Sequence, residues 1–310
     1  MNKLYIVGNG FDLAHGLKTS YKKFYEYLTS QKLSKLLDNY LKEMDNHDKA
    51  TKQLCKLKDD EIIPFWHEWE YSFATVKTAS ATASIDIEHA ESIKVELMQY
   101  LNKWIYEKIN PVISKCKKKY NFERDSLFLS FNYTDTLEKL YSINRSDIVY
   151  LHGKSDALDS ELAFGSSIEP CSFNYINPDK EKFKWSHLLR GSKDINSLLE
   201  YIKIPEYINI DPCGVSMVFY KNTIKYAKSR ILLEKYDHIQ EIHVIGHNIG
   251  RYCNISMKTS GTDDYYYEFL LNNLKNLNTV VVYEYDNTAK NKVQKLKEFN
   301  NKIDYIILQT

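Results

Sequence analysis

Apolar residues fall in two rhythms along this chain. Short runs with little polar alternation occur at Tyr5-Ile6-Val7, Ser126 to Phe131, Asp147 to Leu151, Glu241 to Ile245, Thr279 to Tyr283 and Asp304 to Leu308. Such runs predict strands covered on both faces, and Leu162 to Phe164 is expected to add a short one. Between the later runs, apolar positions recur at three and four residues, which predicts helices over Thr134 to Tyr141, Asp264 to Leu274 and Thr288 to Phe299. Strands alternating with helices give an α/β fold class, a doubly wound and mostly parallel sheet.

The early part of the chain keeps the helical rhythm alone. Ser20 or Thr19 is placed to cap a helix through Tyr21, Phe24, Tyr25 and Leu28. Leu33 to Met44 and Ile62 to Val76 repeat the pattern, the latter carrying Trp66, Trp69 and Glu70 at helical spacing. The longest stretch, about Asp86 to Lys108, aligns Ile93, Leu97, Tyr100, Leu101, Trp104 and Ile105 in one stripe, and Pro111 bends or ends it. With no strand pattern between Tyr21 and Lys119, residues 21–120 read as a large all-helical insertion inside a single domain of residues 1–310. Ser166 to Tyr207 is less patterned; helices are expected over Phe183 to Gly191 and Val215 to Leu233.

Composition narrows the function classes. The chain has 310 residues, 43% of them apolar, with a formal net charge of +1. Interspersed acids and bases lack the basic footprint of a nucleic-acid binder, so nucleic acid is not indicated. The five cysteines are scattered, with no pair or nearby histidine at metal-ligand spacing, so no metal site is expected. No charged-then-apolar leader and no apolar run of roughly 18 residues predict a cytoplasmic protein with no membrane association.

Candidate chemistry clusters just after strands, where open α/β sheets bind ligands. The first place is Gly8, Asn9, Gly10, Phe11, Asp12, His15 and Gly16, a two-glycine break between the first strand and a helix start near Ser20. Glycine lets backbone approach a ligand closely, and a helix start offers N–H groups to phosphate. The spacing matches neither the dinucleotide fingerprint nor the P-loop, and a plain tight turn is the alternative. The second is Asn132, Tyr133, Thr134 and Asp135, where Asn132 and Thr134 suit a ribose or amide, although Thr134 or Asp135 also suits a helix cap. The third is His152-Gly153, an imidazole at a strand tip able to act as a base near neutral pH. The fourth is Gly246, His247 and Asn248. Groups of this kind after four strands point to a nucleotide crevice.

At these residues the sequence resembles the AbiH family of bacterial abortive-infection proteins. The resemblance rests on Gly8-Asn9-Gly10-Phe11-Asp12, His15-Gly16-Leu17, Thr19 and Tyr21, on Trp66 with Glu70, on Phe131 to Leu137, on His152-Gly153 and on Phe164-Gly165. Two positions depart from the family pattern. Asn248 stands where the family has serine, with Asp263 and Asp264 further on than expected, and Ser166-Ser167 replaces an asparagine. The order of motifs is also similar to that of sirtuin-like NAD-binding domains. That resemblance implies binding of NAD or a related nucleotide by Gly8, Gly10, Gly16, Gly153, Gly246 and His247, with no prosthetic group. Catalytic roles would fall to Asn132 at the ribose, to His152 as base and to Asp12 beside developing positive charge, and His15 could contact phosphate. Since the zinc cysteines of deacetylases are absent, NAD hydrolysis is the better analogue. The resemblances together imply an antiphage protein answering a phage-derived trigger, with homo-oligomerisation among the expectations. A non-catalytic nucleotide sensor or interaction module is the alternative, and a nucleic-acid-directed toxin a weaker one.

Overall fold

The apolar run at the N-terminus forms β1 (Lys3–Val7), and its side chains leave on alternate sides: Leu4 and Ile6 enter one core, Tyr5 and Val7 the other. A strand apolar on both sides must be interior to a covered sheet, and β1 is. The structure is a computed structural model, and it describes residues 2–33, 87–160, 162, 182–184, 207–209, 235–249, 263–285 and 287–309. In it β1 pairs in parallel with β2 (Leu127–Ser130) on one side and with β6 (Glu241–Ile245) on the other. Outward from these lie β3 (Ile148–Tyr150), β7 (Thr279–Glu284) and β8 (Asp304–Gln309), giving one six-stranded parallel sheet in the order β3-β2-β1-β6-β7-β8. Strand order reverses between β1 and β6, which fixes a switch point at their carboxyl ends. A two-stranded antiparallel ribbon, β4 (Lys182–Lys184) with β5 (Tyr207–Asn209), is separate from this sheet.

Helices cover both faces. Among the described residues the α-helices are, in chain order, α1 (Asn9–Ala14), α2 (Tyr21–Ser30), α3 (Ile87–Trp104), α4 (Thr136–Tyr141), α5 (Asp264–Asn273) and α6 (Ala289–Phe299), of which α1, α4, α5 and α6 pack on the sheet. Tyr266, Tyr267, Leu270, Leu271 and Leu274 of α5 and its end, with Val293 and Leu296 of α6, pack on Leu4, Ile6, Leu129, Val244 and Val282. On the opposite face, Phe11 of α1 and Leu137 of α4 pack on Tyr5, Val7, Phe128, Ile148 and Ile245. Burying each of these large apolar side chains stabilises the fold by about 1.5–3 kcal/mol.

A third core lies away from the sheet. Phe24 and Leu28 of α2 meet Leu97, Leu101 and Trp104 of α3, together with Ile105, Ile109 and Ile113. Ser20 caps α2, its hydroxyl accepting from Lys23 N at 3.4 Å, as the sequence suggested. After Trp104 the long helix widens into a π turn over Ile105–Ile109 and then tightens to a 3-10 turn over Asn110–Lys115 carrying Pro111.

Three expectations are revised. Gly8 leads from the first strand into α1, so the two-glycine stretch expected to be a tight turn is helical from Asn9, ahead of the expected helix that Ser20 caps. Lys182–Lys184 is a strand, where the helix expected over Phe183 to Gly191 should begin. Leu162 is buried in the helical core and is not part of a strand. The helices expected at Leu33 to Met44, Ile62 to Val76 and Val215 to Leu233 lie outside the described residues apart from Leu33, as do Trp66, Trp69, Glu70, Phe164-Gly165 and Ser166-Ser167.

Candidate functional site

The carboxyl ends of β1 and β6 touch each other through glycine backbone. Gly8 N donates to Ile245 O at 3.1 Å and Gly10 N to Gly246 O at 2.7 Å, while Phe11 N closes onto Gly8 O at 2.8 Å. A Cβ on Gly246 would lie 2.1 Å from Phe11 N, and one on Gly8 would lie 2.6 Å from His247 Cα. Gly246 is also held at φ +63, where a side chain is strained. The glycines therefore permit the segments after β1 and β6 to interlock at the switch point, and the N–H groups of Gly8, Gly10 and Phe11 are committed to protein carbonyls. Asn9, the first residue of α1, and Asn248, after β6, remain exposed.

A second lock joins α1 to the loop after β2. Asn132 Nδ2 donates to Gly8 O at 2.9 Å. Thr134 and Thr136 donate their hydroxyls to the two carboxylate oxygens of Asp12, at 2.6 and 2.8 Å. Asp12 is 1% exposed, and burial, only partly offset by these two hydrogen bonds, pushes its pKa up to about 6. Thr134 is thus engaged with Asp12 rather than capping α4. Asp135 occupies the cap position without a side-chain cap bond and pairs with Lys139 at 2.8 Å.

His15 forms a third lock. Its Nδ1 lies 2.7 Å from Phe11 O and its Nε2 lies 2.6 Å from the Tyr141 hydroxyl. That hydroxyl already accepts from Lys119 N and Tyr120 N, so its hydrogen goes to His15 Nε2. The imidazole hydrogen then sits on Nδ1, and burial lowers the pKa of the ring, favouring this neutral form. Gly16 lies beyond the lock, at φ +78 with open space around it.

The remaining sequence candidates converge elsewhere in the crevice. His152, at the end of β3, places Nε2 3.2 Å from Asp263 Oδ1, and His247, after β6, places Nε2 3.8 Å from Asp263 Oδ2. His247 Nδ1 lies 2.8 Å from the Tyr267 hydroxyl. Burial, with the nearby charges of Asp263 and Asp264, holds the Tyr267 phenol well above its usual pKa, so it stays protonated and donates to Nδ1. The Asp263 carboxylate is then faced by the Nε2–H of His247 and by Nε2 of His152. Asp263 stands at the N-cap of α5 but makes no side-chain cap bond. Its carboxylate is turned to the histidines, while the helix N-terminus still favours its charge.

Phe131 shields this network. Its ring centroid lies 3.9 Å from that of His247 and 5.4 Å from that of His152, edge-on to the latter. The sequence singled out both histidines but gave no role to Asp263, Tyr267 or Phe131. Gly153, at φ +83, turns the chain immediately after His152. Among the described residues no group of three or more His, Cys, Asp or Glu side chains could hold a metal ion, and no helix is long and apolar enough to cross a membrane.

Residues 4–285 match the family described as bacteriophage abortive infection AbiH. The chain belongs to that family. The match takes in β1 from Leu4 on, both locks built on α1, the histidine network and β7, so the geometry above is geometry of the AbiH region itself. Membership implies a function in phage abortive infection. No curated protein matches the chain.

Proposed function

We propose that this AbiH protein carries out abortive infection through a nucleotide ligand, NAD or a close relative, taken up at the carboxyl ends of β1, β2, β3 and β6 and cleaved at its nicotinamide–ribose bond. The observation that carries the reading is the buried His152–Asp263 pair beside the switch point. A carboxylate that fixes an imidazole tautomer is the usual support for a general base. Counting only the six strands of the large sheet, the order 3-2-1-4-5-6 is that of Rossmann-like dinucleotide folds, which bind at this switch point. Fold likeness supports the ligand class, and the site must carry the reaction.

The donor set fits a neutral ribose better than a phosphate cradle. The N–H groups of Gly8, Gly10 and Phe11 serve the protein, whereas Asn9 and Asn248 present exposed amides at the switch point. In this reading His152 Nδ1 takes the proton of the attacking water or of a ribose hydroxyl, and Asn132, tied to Gly8, orients the ribose. Asp12 is a positioning residue, acting through Thr134 and Thr136. The sirtuin-like kinship expected from the order of motifs belongs to this same proposal.

The test is incubation of the purified full-length chain with NAD, with lysate of phage-infected cells supplied as trigger, followed by chromatography for nicotinamide and ADP-ribose. Release that disappears in His152→Gln supports the proposal. Intact NAD in the tube, together with unchanged NAD in infected cells expressing the protein, overturns it. A second reading, a sensor that binds nucleotide without turnover, is favoured by the internal pairing of so many polar atoms in the crevice. Under it, His152→Gln leaves phage protection intact.

A further inference from the structure

On the helical side of the molecule, remote from the His152–Asp263 pair in sequence and packed in a different core, lies a groove of about 620 Å3. That volume falls in the range of small-molecule sites. One wall is the turn Gly16 to Lys18, the second is α2, and the third is the stretch where α3 passes into the π turn. Leu17, Trp104 and Ile109 give an apolar floor, with the half-buried Tyr27 ring 6.4 Å from Trp104 and inclined to it by 30°. Val112, 41% exposed, stands at the mouth.

The rim is basic. Lys18, Lys23, Lys108 and Lys115 line it against a single acid, Glu26, which Lys23 holds at 2.5 Å. Among the described residues Lys18, Lys108 and Lys115 have no ion-pair partner, and Glu107 on the same π turn does not line the groove. Glu107 carries its charge close enough to act on Tyr27, yet three ammonium groups without an ion-pair partner among the described residues stand around one cavity and repel one another, and an anion relieves that repulsion. The π turn is a second, independent sign. Such turns cost hydrogen-bond geometry and occur frequently at functional sites, and this one sets Lys108 and Ile109 into the groove wall.

We propose that this groove binds a nucleoside phosphate, its base against Tyr27 and Val112 over the Trp104 floor and its phosphates on Lys18, Lys108 and Lys115. An aromatic wall of this kind takes any base by its face, and lysines bind phosphate as point charges without demanding one geometry. The inference does not rest on the strand-end reading. The groove's lysines and aromatic side chains are not those of the strand-end reading.

The experiment is titration calorimetry of the full-length protein with ADP, with adenosine and inorganic phosphate as separate probes. Saturable ADP binding tighter than either fragment is expected, weakening as salt rises. Lys108→Glu/Lys115→Glu should reduce ADP affinity at least about tenfold, while His152→Gln leaves it unchanged. Because both lysines are exposed, circular dichroism should show the fold retained in the charge reversal. Absence of ADP binding overturns the proposal. So does binding unaffected by the charge reversal, or binding of phosphate as tight as that of ADP. ADP binding lost in His152→Gln but kept in the charge reversal assigns the ligand to the strand ends and likewise overturns it.

Discussion

Asp12 and Thr136 stand 124 positions apart and share a buried hydrogen bond of 2.8 Å. With Thr134 on the other carboxylate oxygen, this contact ties the helix after β1 to the loop after β2. Thr134→Val or Thr136→Val leaves a buried carboxylate short of a donor, at a cost of about 1–3 kcal/mol. The expected outcome is a lower Tm by roughly 3–8 °C in thermal unfolding, with Thr136→Ser close to wild type.

Asp12 also gives stability a pH dependence of defined sign. Its pKa rises from 3.8 to about 6 on folding, so between those values the folded protein binds more protons than the unfolded chain, and stability falls as pH rises. The span corresponds to about 3 kcal/mol as an upper figure. Denaturant titrations should show the difference between wild type and Asp12→Asn changing across pH 4 to 6 in the direction that favours the variant, and holding constant above about pH 7.

The glycines separate into two kinds. Gly246→Ala combines a positive φ with a Cβ 2.1 Å from Phe11 N, and a change that forces backbone apart should exceed about 4 kcal/mol. Loss of soluble protein is the expected result. Gly16→Ala meets open space and carries only the left-handed backbone cost, about 1–2 kcal/mol, so it should fold with a modestly lower Tm.

His15 should be a neutral imidazole with its hydrogen on Nδ1. Nitrogen-15 chemical shifts of the ring report this directly, and an Nε2–H tautomer would refute the hydrogen-bond assignment. Tyr141→Phe removes the partner of Nε2 and an acceptor for two backbone N–H groups. The expected loss is about 1–3 kcal/mol, with the Nδ1–H tautomer kept by the hydrogen bond to Phe11 O.

Asp263 should matter more to defence than to folding. Asp263→Asn preserves shape but removes the charge that faces His152 and His247. Plaque assays with phages that the wild-type chain restricts should show protection reduced at least about tenfold, as expected for a charged hydrogen-bond partner, with circular dichroism unchanged. Full protection by the variant would remove the histidine network from the mechanism.

Much of the sheet was legible because its interior strands are buried on both sides. The run Glu241 to Ile245 became β6 with the same bounds, as such a run has no other stable environment. The helix at Asn9 was not legible. Asn9, Gly10 and Asp12 are poor helix formers, and what calls for the last two is tertiary: Gly10 must clear Gly246, and Asp12 must meet two threonines. Lys182 to Lys184 is too short for its alternation to outweigh a helical pattern. His152 and His247 were visible as strand-end imidazoles, but the acid between them was not. Asp263 follows His247 by a long connection, and only the packing of α5 against the sheet brings its N-terminus to both rings. The π turn left no trace beyond Pro111.

The central place of β1 bears on how this protein comes into being. Its neighbour β6 pairs across a separation of about the 238 residues that divide Asn2 from Gln240. A nascent chain therefore leaves the ribosome with an apolar strand exposed on one edge until most of the polypeptide has been made. Closure of so distant a pair is entropically slow and leaves time for association with other chains. The same delay means that a truncated translation product lacking β6 has neither the glycine interlock nor the acid between the histidines. Only a chain made past Asp263 can assemble the histidine network.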